Sequence, residues 1–314
     1  MEVPIYAEVP VLARELGIAQ IASFHDRWGD QSLRSESGAL PAAWGRIWGE
    51  HATLENSGAV DPQFSGEMGG VQVGQDLYAD TTPNGAGDYY GIFLGFARAQ
   101  GDVSGFALGF PGLAVGSLSI DTYGGGGYWT HIGSGGWYTE ALAMGSSLSI
   151  DPRSIEGISP RTHGHSVAAS MEAGMPIPLS ADLSVEPQAQ VIWQHVSVND
   201  LDDGISTVSF EVANGFAGRL GARLQGRFEA GGASWQPYVG ANLWRYSGGT
   251  DRATFADTTV IPTDVAATAF ELELGIVGHL SARGSLFAKV GYTTDVNSAH
   301  RSIVEGGIGM RWSW

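Results

Sequence analysis

The stretch VEGGIGMRWSW, Val304 to Trp314, closes the sequence on an aromatic residue. Read as an extended strand, it places Val304, Gly306, Ile308, Met310, Trp312 and Trp314 on one face. Glu305, Gly307, Gly309, Arg311 and Ser313 take the other face. A soluble strand rarely ends on an apolar face carrying two tryptophans. A membrane β-barrel strand does, because one face meets lipid, the other meets the lumen, and aromatic rings settle at the interface.

Composition fits that reading. The 314 residues include 47 glycines and no cysteine, and 43% are apolar. Glycine is far above its usual share of about 7%. No apolar run reaches the roughly 18 residues of a membrane helix, but alternating barrel strands average to neutral hydropathy. A net charge of -17 argues against nucleic-acid binding. The single lysine, Lys289, leaves no polybasic tract. Absence of cysteine removes disulfides, thiolate catalysis and Cys-type zinc sites. MEVPIYAEVP lacks the basic and apolar regions of a signal peptide. If the protein is secreted, its leader and upstream region are expected to lie outside this sequence.

A helical pattern spans about residues 10–28, with Pro10 suited to a first turn and Gly29 to a stop. After Ala43, period-two segments take over: 43–50, 64–78, 88–99, 115–132, 136–150, 162–175, 183–198, 216–228, 235–246, 268–280, 285–295 and 303–314. Their number is even, as in single-chain bacterial barrels. The face of Glu140 is ambiguous, and Gly124–Gly127 is expected to mark a bulge or kink. Counting back from a periplasmic C-terminus, the connectors 281–284, 229–234, 176–182, 133–135 and 79–87 fall on the inner side and are mostly short. Those at 296–302, 247–267, 199–215, 151–161, 100–114 and 51–63 fall outside and are mostly longer. This asymmetry is that of a membrane barrel. Strands about 4.8 Å apart, tilted about 40°, would close at a diameter of roughly 24 Å. The lumen left by inward side chains is about one α-helix across.

The sequence resembles the C-terminal translocator barrel of autotransporters (type V secretion). The resemblance rests on EVPIYAEVPVLARELGIAQIASFHDRWGD (Glu2 to Asp30), WQPYVGANLWRYSGGTDRATF (Trp235 to Phe255), GSLFAKVGYTTDV and the terminal aromatic strand. It implies an all-β membrane fold, a 12-stranded antiparallel transmembrane β-barrel with an N-terminal α-helix inside the pore. Residues 1–42 would be linker and pore-occupying helix, and 43–314 the barrel. Gly309, Trp312 and Trp314 match the family's recognition pattern for the β-barrel assembly machinery, while Gly307 departs from its leading polar position. Some members cut themselves at an asparagine in the helix. This sequence has none before Asn56, so no such cleavage is expected within residues 1–30.

Arg219, Arg223 and Arg227 alternate on one segment, with Glu271, Glu273 and Glu305 as further pore-lining candidates. They are either a charged lumen that grips the helix or a network of cross-strand pairs. Arg14, Asp26 and Arg27 are their natural counterparts on the helix, which also carries Phe24 and His25. His163 and His165 lack an identifiable third ligand for a metal. No Ser/His/acid constellation or G-x-S-x-G stands out. The expectation is a monomeric outer-membrane domain, without catalytic residues, cofactor or metal. It would insert in the Gram-negative outer membrane, contact its lipid and export an N-terminal passenger absent from this sequence. The rival is a stand-alone porin or channel, which has no reason to carry the helix.

Overall fold

The alternation builds a closed wall. A computed structural model of the chain describes residues 1–21, 23–28, 38–281, 283–296 and 300–314. Among these residues twelve long strands form the wall. They are β1 (Ala42–Glu55), β2 (Gln63–Thr81), β3 (Gly87–Ala107), β4 (Phe110–Ile132), β5 (Tyr138–Ser154) and β6 (Thr162–Gly174). The rest are β7 (Leu183–Val198), β8 (Gly215–Gly226), β9 (Ala233–Ser247), β10 (Ala267–Ser281), β11 (Gly284–Asp295) and β12 (His300–Ser313).

Each strand pairs antiparallel with its sequence neighbours, and β12 closes on β1 with Ala42 opposite Ser313 and Ile47 opposite Ile308. Closure leaves no sheet edge. The two faces divide by chemistry. Ile47, Leu94, Val191, Leu220, Leu274 and Ile308 are exposed on the outside, whereas Arg46, Gln72, Asp76, Glu140 and Gln190 are buried inside. An apolar exterior around a polar interior is the pattern of a barrel in lipid.

The helix starts and ends earlier than its sequence pattern suggests. α1 runs Val3–Ile21 and a short α2 runs His25–Trp28. Pro10 lies within α1 instead of at its first turn. Helix propensity yields here to enclosure, because α1 is buried on all sides and packing holds it. Its apolar side chains join those of β1–β5, β7 and β12 in one core inside the barrel.

Two further expectations are corrected. Gly124–Gly127 pairs in unbroken register with both β3 and β5. The glycines make room for a neighbour: a Cβ on Gly126 would come within 2.8 Å of the Phe93 ring. The segment 100–114 is not a loop, since β3 and β4 extend through it to a turn at Leu108 and Gly109, both at positive φ (51° and 84°).

Connectors 82–86, 133–137, 175–182 and 227–232 lie at one end of the wall, and 56–62, 155–161, 199–214 and 248–266 at the other. The latter are structured. Segments 201–202, 207–211, 250–255, 259–264 and 57–58 pair in that order into a small second sheet at the long-loop end. Leu201, Val208 and Ala253 of this sheet pack around Tyr6 of α1.

Candidate functional site: a pore occupied by its own helix

Helix polarity organises the interior. The N-terminal turns of α1 sit at the long-loop end, where Tyr6 donates to Asp203 at 3.0 Å and Glu2 accepts from Ser154 at 2.7 Å. Arg14 reaches into the small sheet, donating to Asp251 and to the Ala213 carbonyl, each at 2.9 Å. Asp251 also accepts from the Ala213 N–H at 3.0 Å. Burial raises the Asp251 carboxyl above its ordinary value, even against the opposing pull of Arg14. Asp251 belongs to the Gly-Thr-Asp run of the sequence resemblance, which gave it no role.

Mid-helix, Glu15 pairs with Arg301 of β12, whose guanidinium lies 4.3 Å from the centroid of the Tyr246 ring. Arg46 and Gln72 both donate to the Gln20 carbonyl at 2.9 Å, and Thr122 donates to the Gln20 side chain at 3.1 Å. These bonds serve the C-terminal end of α1, where helix carbonyls lack intrahelical donors.

The densest contacts lie at the short-turn end. Arg27 folds back to the Ile21 carbonyl at 2.5 Å and forms a buried ion pair with Glu140. His25 meets Glu186 at 2.7 Å, and the Phe24 N–H donates to Glu172 at 2.9 Å. Phe24 stacks on Tyr138 with centroids 3.9 Å apart, and the Tyr138 hydroxyl donates to Glu172 at 2.8 Å. Asp26 accepts from the Ser23 N–H at 3.1 Å and pairs with Lys289 at 3.3 Å.

Sequence-predicted wall residues divide accordingly. Arg219 points inward and pairs with Glu172 at 2.9 Å, fixing the acceptor that holds Phe24. Arg223 is also inward, stacked 3.5 Å from the Tyr238 ring centroid. Arg227 is not pore-lining: β8 ends at Gly226, and Arg227 is exposed in the connector with its N–H bound to the Asp182 carbonyl at 2.9 Å. The ladder register continues through Arg227 into 228–230, but at this short-turn rim the side chain is exposed. Glu273 and Glu305 meet Lys289 at 3.4 Å each, and buried Glu271 accepts from Asn242 at 3.0 Å. The three carboxylates come within 4.8 Å of one another, and Lys289 supplies a cation to two of them.

α1 is off-centre. It packs on β2–β7, and a cavity of about 110 Å³ remains on the opposite side, lined by Lys289, Glu271, Glu273 and Glu305. The pore is therefore plugged, with a small charged void beside the plug.

Several groups holding the helix were not assigned to it from sequence: Glu140, Glu172, Glu186 and Arg301 of the wall and Asp251 of the small sheet. Period-two parity marks Glu172 and Glu186 as inward, since each alternates with apolar outward neighbours. Their partners lie too far along the chain to be paired from one sequence.

At the terminal strand, Trp312 and Trp314 are 47% and 60% exposed on the outer face. Gly309 faces inward beneath Phe287, whose ring would lie 2.1 Å from any Cβ there. His163 and His165 lie exposed on β6.

A family profile described as "Autotransporter beta-domain" matches residues 43–291. The pertactin autotransporter of Bordetella bronchiseptica is 30% identical over 322 residues, covering 96% of this chain and 32% of its own length. The chain thus spans about a third of that relative. Among solved structures, the transport unit of the autotransporter AIDA-I from Escherichia coli superposes with a TM-score of 0.73 at 18% identity, covering 91% of this chain and 93% of that one. The β domain of the Bordetella autotransporter BrkA gives 0.65 at 21% identity, covering 88% and 100%.

Proposed function

The chain belongs to the autotransporter β-domain family of Gram-negative outer-membrane barrels, and we propose that it is the translocator of a longer polypeptide whose N-terminal passenger it carries to the cell surface. The course of the helix carries this reading. α1 begins among the long loops, descends through the lumen and ends at the short turns, from which the chain enters β1. In a barrel with its long loops outward, anything joined ahead of Val3 emerges at the outer mouth. The same segment that leads out then fills the pore. In this reading Arg14, Phe24, His25, Asp26 and Arg27 retain the helix, and Arg219, Arg223, Glu271, Glu273 and Glu305 line its channel. Residues 1–42 are the linker and plug of a single domain whose barrel occupies 43–314.

Gly309, Trp312 and Trp314 serve as the signal read by the assembly machinery, and the barrel acts as a monomer surrounded by lipid. A stand-alone channel is disfavoured, because a solute pore gains nothing from a helix bonded along its whole length.

The test uses the full-length protein with an epitope inserted directly before Val3. Antibody is expected to label intact cells. Labelling only after the outer membrane is permeabilised would overturn the proposal.

A further inference from the structure

Above the apolar belt, one sector of the outer wall changes character. On β3 and β4 the outward residues Phe96 and Tyr123 face each other across the ladder, with ring centroids 5.0 Å apart. The next outward pair toward the long-loop end is Arg98 and Asp121, then Gln100 and Ser119, then Asp102 and Ser117. On β5, Asp151 stands beside Ser119 and Arg153 beside Ser117. Arg161, in the connector before β6, pairs with Asp151 at 2.5 Å.

These groups line a concave patch of about 760 Å³. Arg98 is held by Asp121 at 3.5 Å while its side chain stays 52% exposed, and that of Arg161 is 72% exposed. Arg153 is exposed and has no ion-pair partner among the described residues. Three guanidiniums share this hollow with three carboxylates, Asp102, Asp121 and Asp151, two of which pair with Arg98 and Arg161 and hold them in place.

We propose that this hollow binds the phosphorylated sugar headgroup of an outer-leaflet lipid. Guanidinium forks match phosphate oxygens bidentately, and Asp121 and Asp151 fix two of the forks in place. Ser117, Ser119 and Gln100 offer hydroxyl and amide partners of the kind a sugar ring requires. Position selects a lipid over free phosphate. The hollow begins directly above Phe96 and Tyr123 and exposed Leu94, so acyl chains attached to the headgroup would lie along the apolar wall below it. The inference rests on the barrel's place in the outer membrane and not on passenger export.

Native mass spectrometry of the detergent-solubilised protein tests it, with a hexa-acylated diglucosamine lipid carrying two phosphates as probe. The protein is expected to retain this lipid, and to retain the same lipid stripped of both phosphates at least tenfold less. The variant R98A/R153A/R161A should lose retention at least tenfold, and R153A alone, which breaks no ion pair, several-fold. R227A/R245A/R252A, with the same loss of charge elsewhere, should bind as the parent does. Heat-modifiable gel migration checks that each variant is folded. Equal retention by the parent and R153A, or by the two lipid forms, would overturn the proposal. Displacement of the lipid by equimolar inorganic pyrophosphate would overturn the lipid assignment in favour of a free-phosphate site.

Discussion

Arg27 joins two needs at one point: it satisfies the last carbonyl of α1 and neutralises Glu140 in the wall. Removing one partner of a buried pair leaves an uncompensated charge, at a cost of about 3–5 kcal/mol. Arg27→Ala should therefore loosen the short-turn end of the plug. The expected result in planar bilayers is frequent openings where the parent is nearly silent. The double variant R27A/E140A should recover part of the silence, since it removes the orphaned carboxylate as well. Absence of coupling between the two changes would show that the pair does not hold the helix. Sequence made Arg27 visible through the FHDR run but left its partner hidden. Glu140 sits between Thr139 and Ala141, neighbours too small and mild to say which face meets lipid. Arg227 failed for the opposite reason: the alternation runs on regularly to the short-turn rim, where its side chain is exposed.

Strands and helix were legible to different degrees. The wall strands announced themselves wherever large apolar residues alternate with charge, as Phe216, Leu220 and Leu224 do with Arg219 and Arg223. The small sheet at the long-loop end did not, because its strands are short and sit in polar connectors. The start of α1 was misplaced because Pro10 reads locally as a beginning, while the enclosure that tolerates it is a property of the assembled barrel. The plug is anchored along its length: Tyr6 and Arg14 at the long-loop end, and Phe24 to Arg27, just past α1, to the wall. Deleting residues 3–28 should leave a barrel that still shows heat-modifiable migration, because every wall pairing lies outside the helix. That barrel should conduct steadily and melt several degrees lower. A deletion variant as silent as the parent would mean that something other than the helix blocks the pore.

At the scale of the molecule, the outer belt and the polar sector above it set the depth of the barrel in the membrane. Leu94 is 68% exposed within the belt, whereas Arg98 lies just above it. A cation on the lipid face costs about 2–4 kcal/mol at the midplane and about 0–1 near an interface. Leu94→Arg should accordingly lower unfolding stability in lipid by about 2–4 kcal/mol, and Ser119→Arg by under about 1 kcal/mol, as read from urea titration of Trp fluorescence. Equal costs would place the membrane boundary elsewhere. The seam between β1 and β12 has a further consequence, in time instead of space. Every other wall pairing joins strands adjacent in the sequence, but this one brings Ala42 to Ser313. Loop-closure entropy makes so distant a contact late and slow. Until the final strand pairs, the wall is a slotted sheet, and its interior can be entered from the side. The stretch VEGGIGMRWSW is thus the fastener of the pore as well as a strand of it: whatever must lie inside is free to enter until Trp312 reaches Ala43.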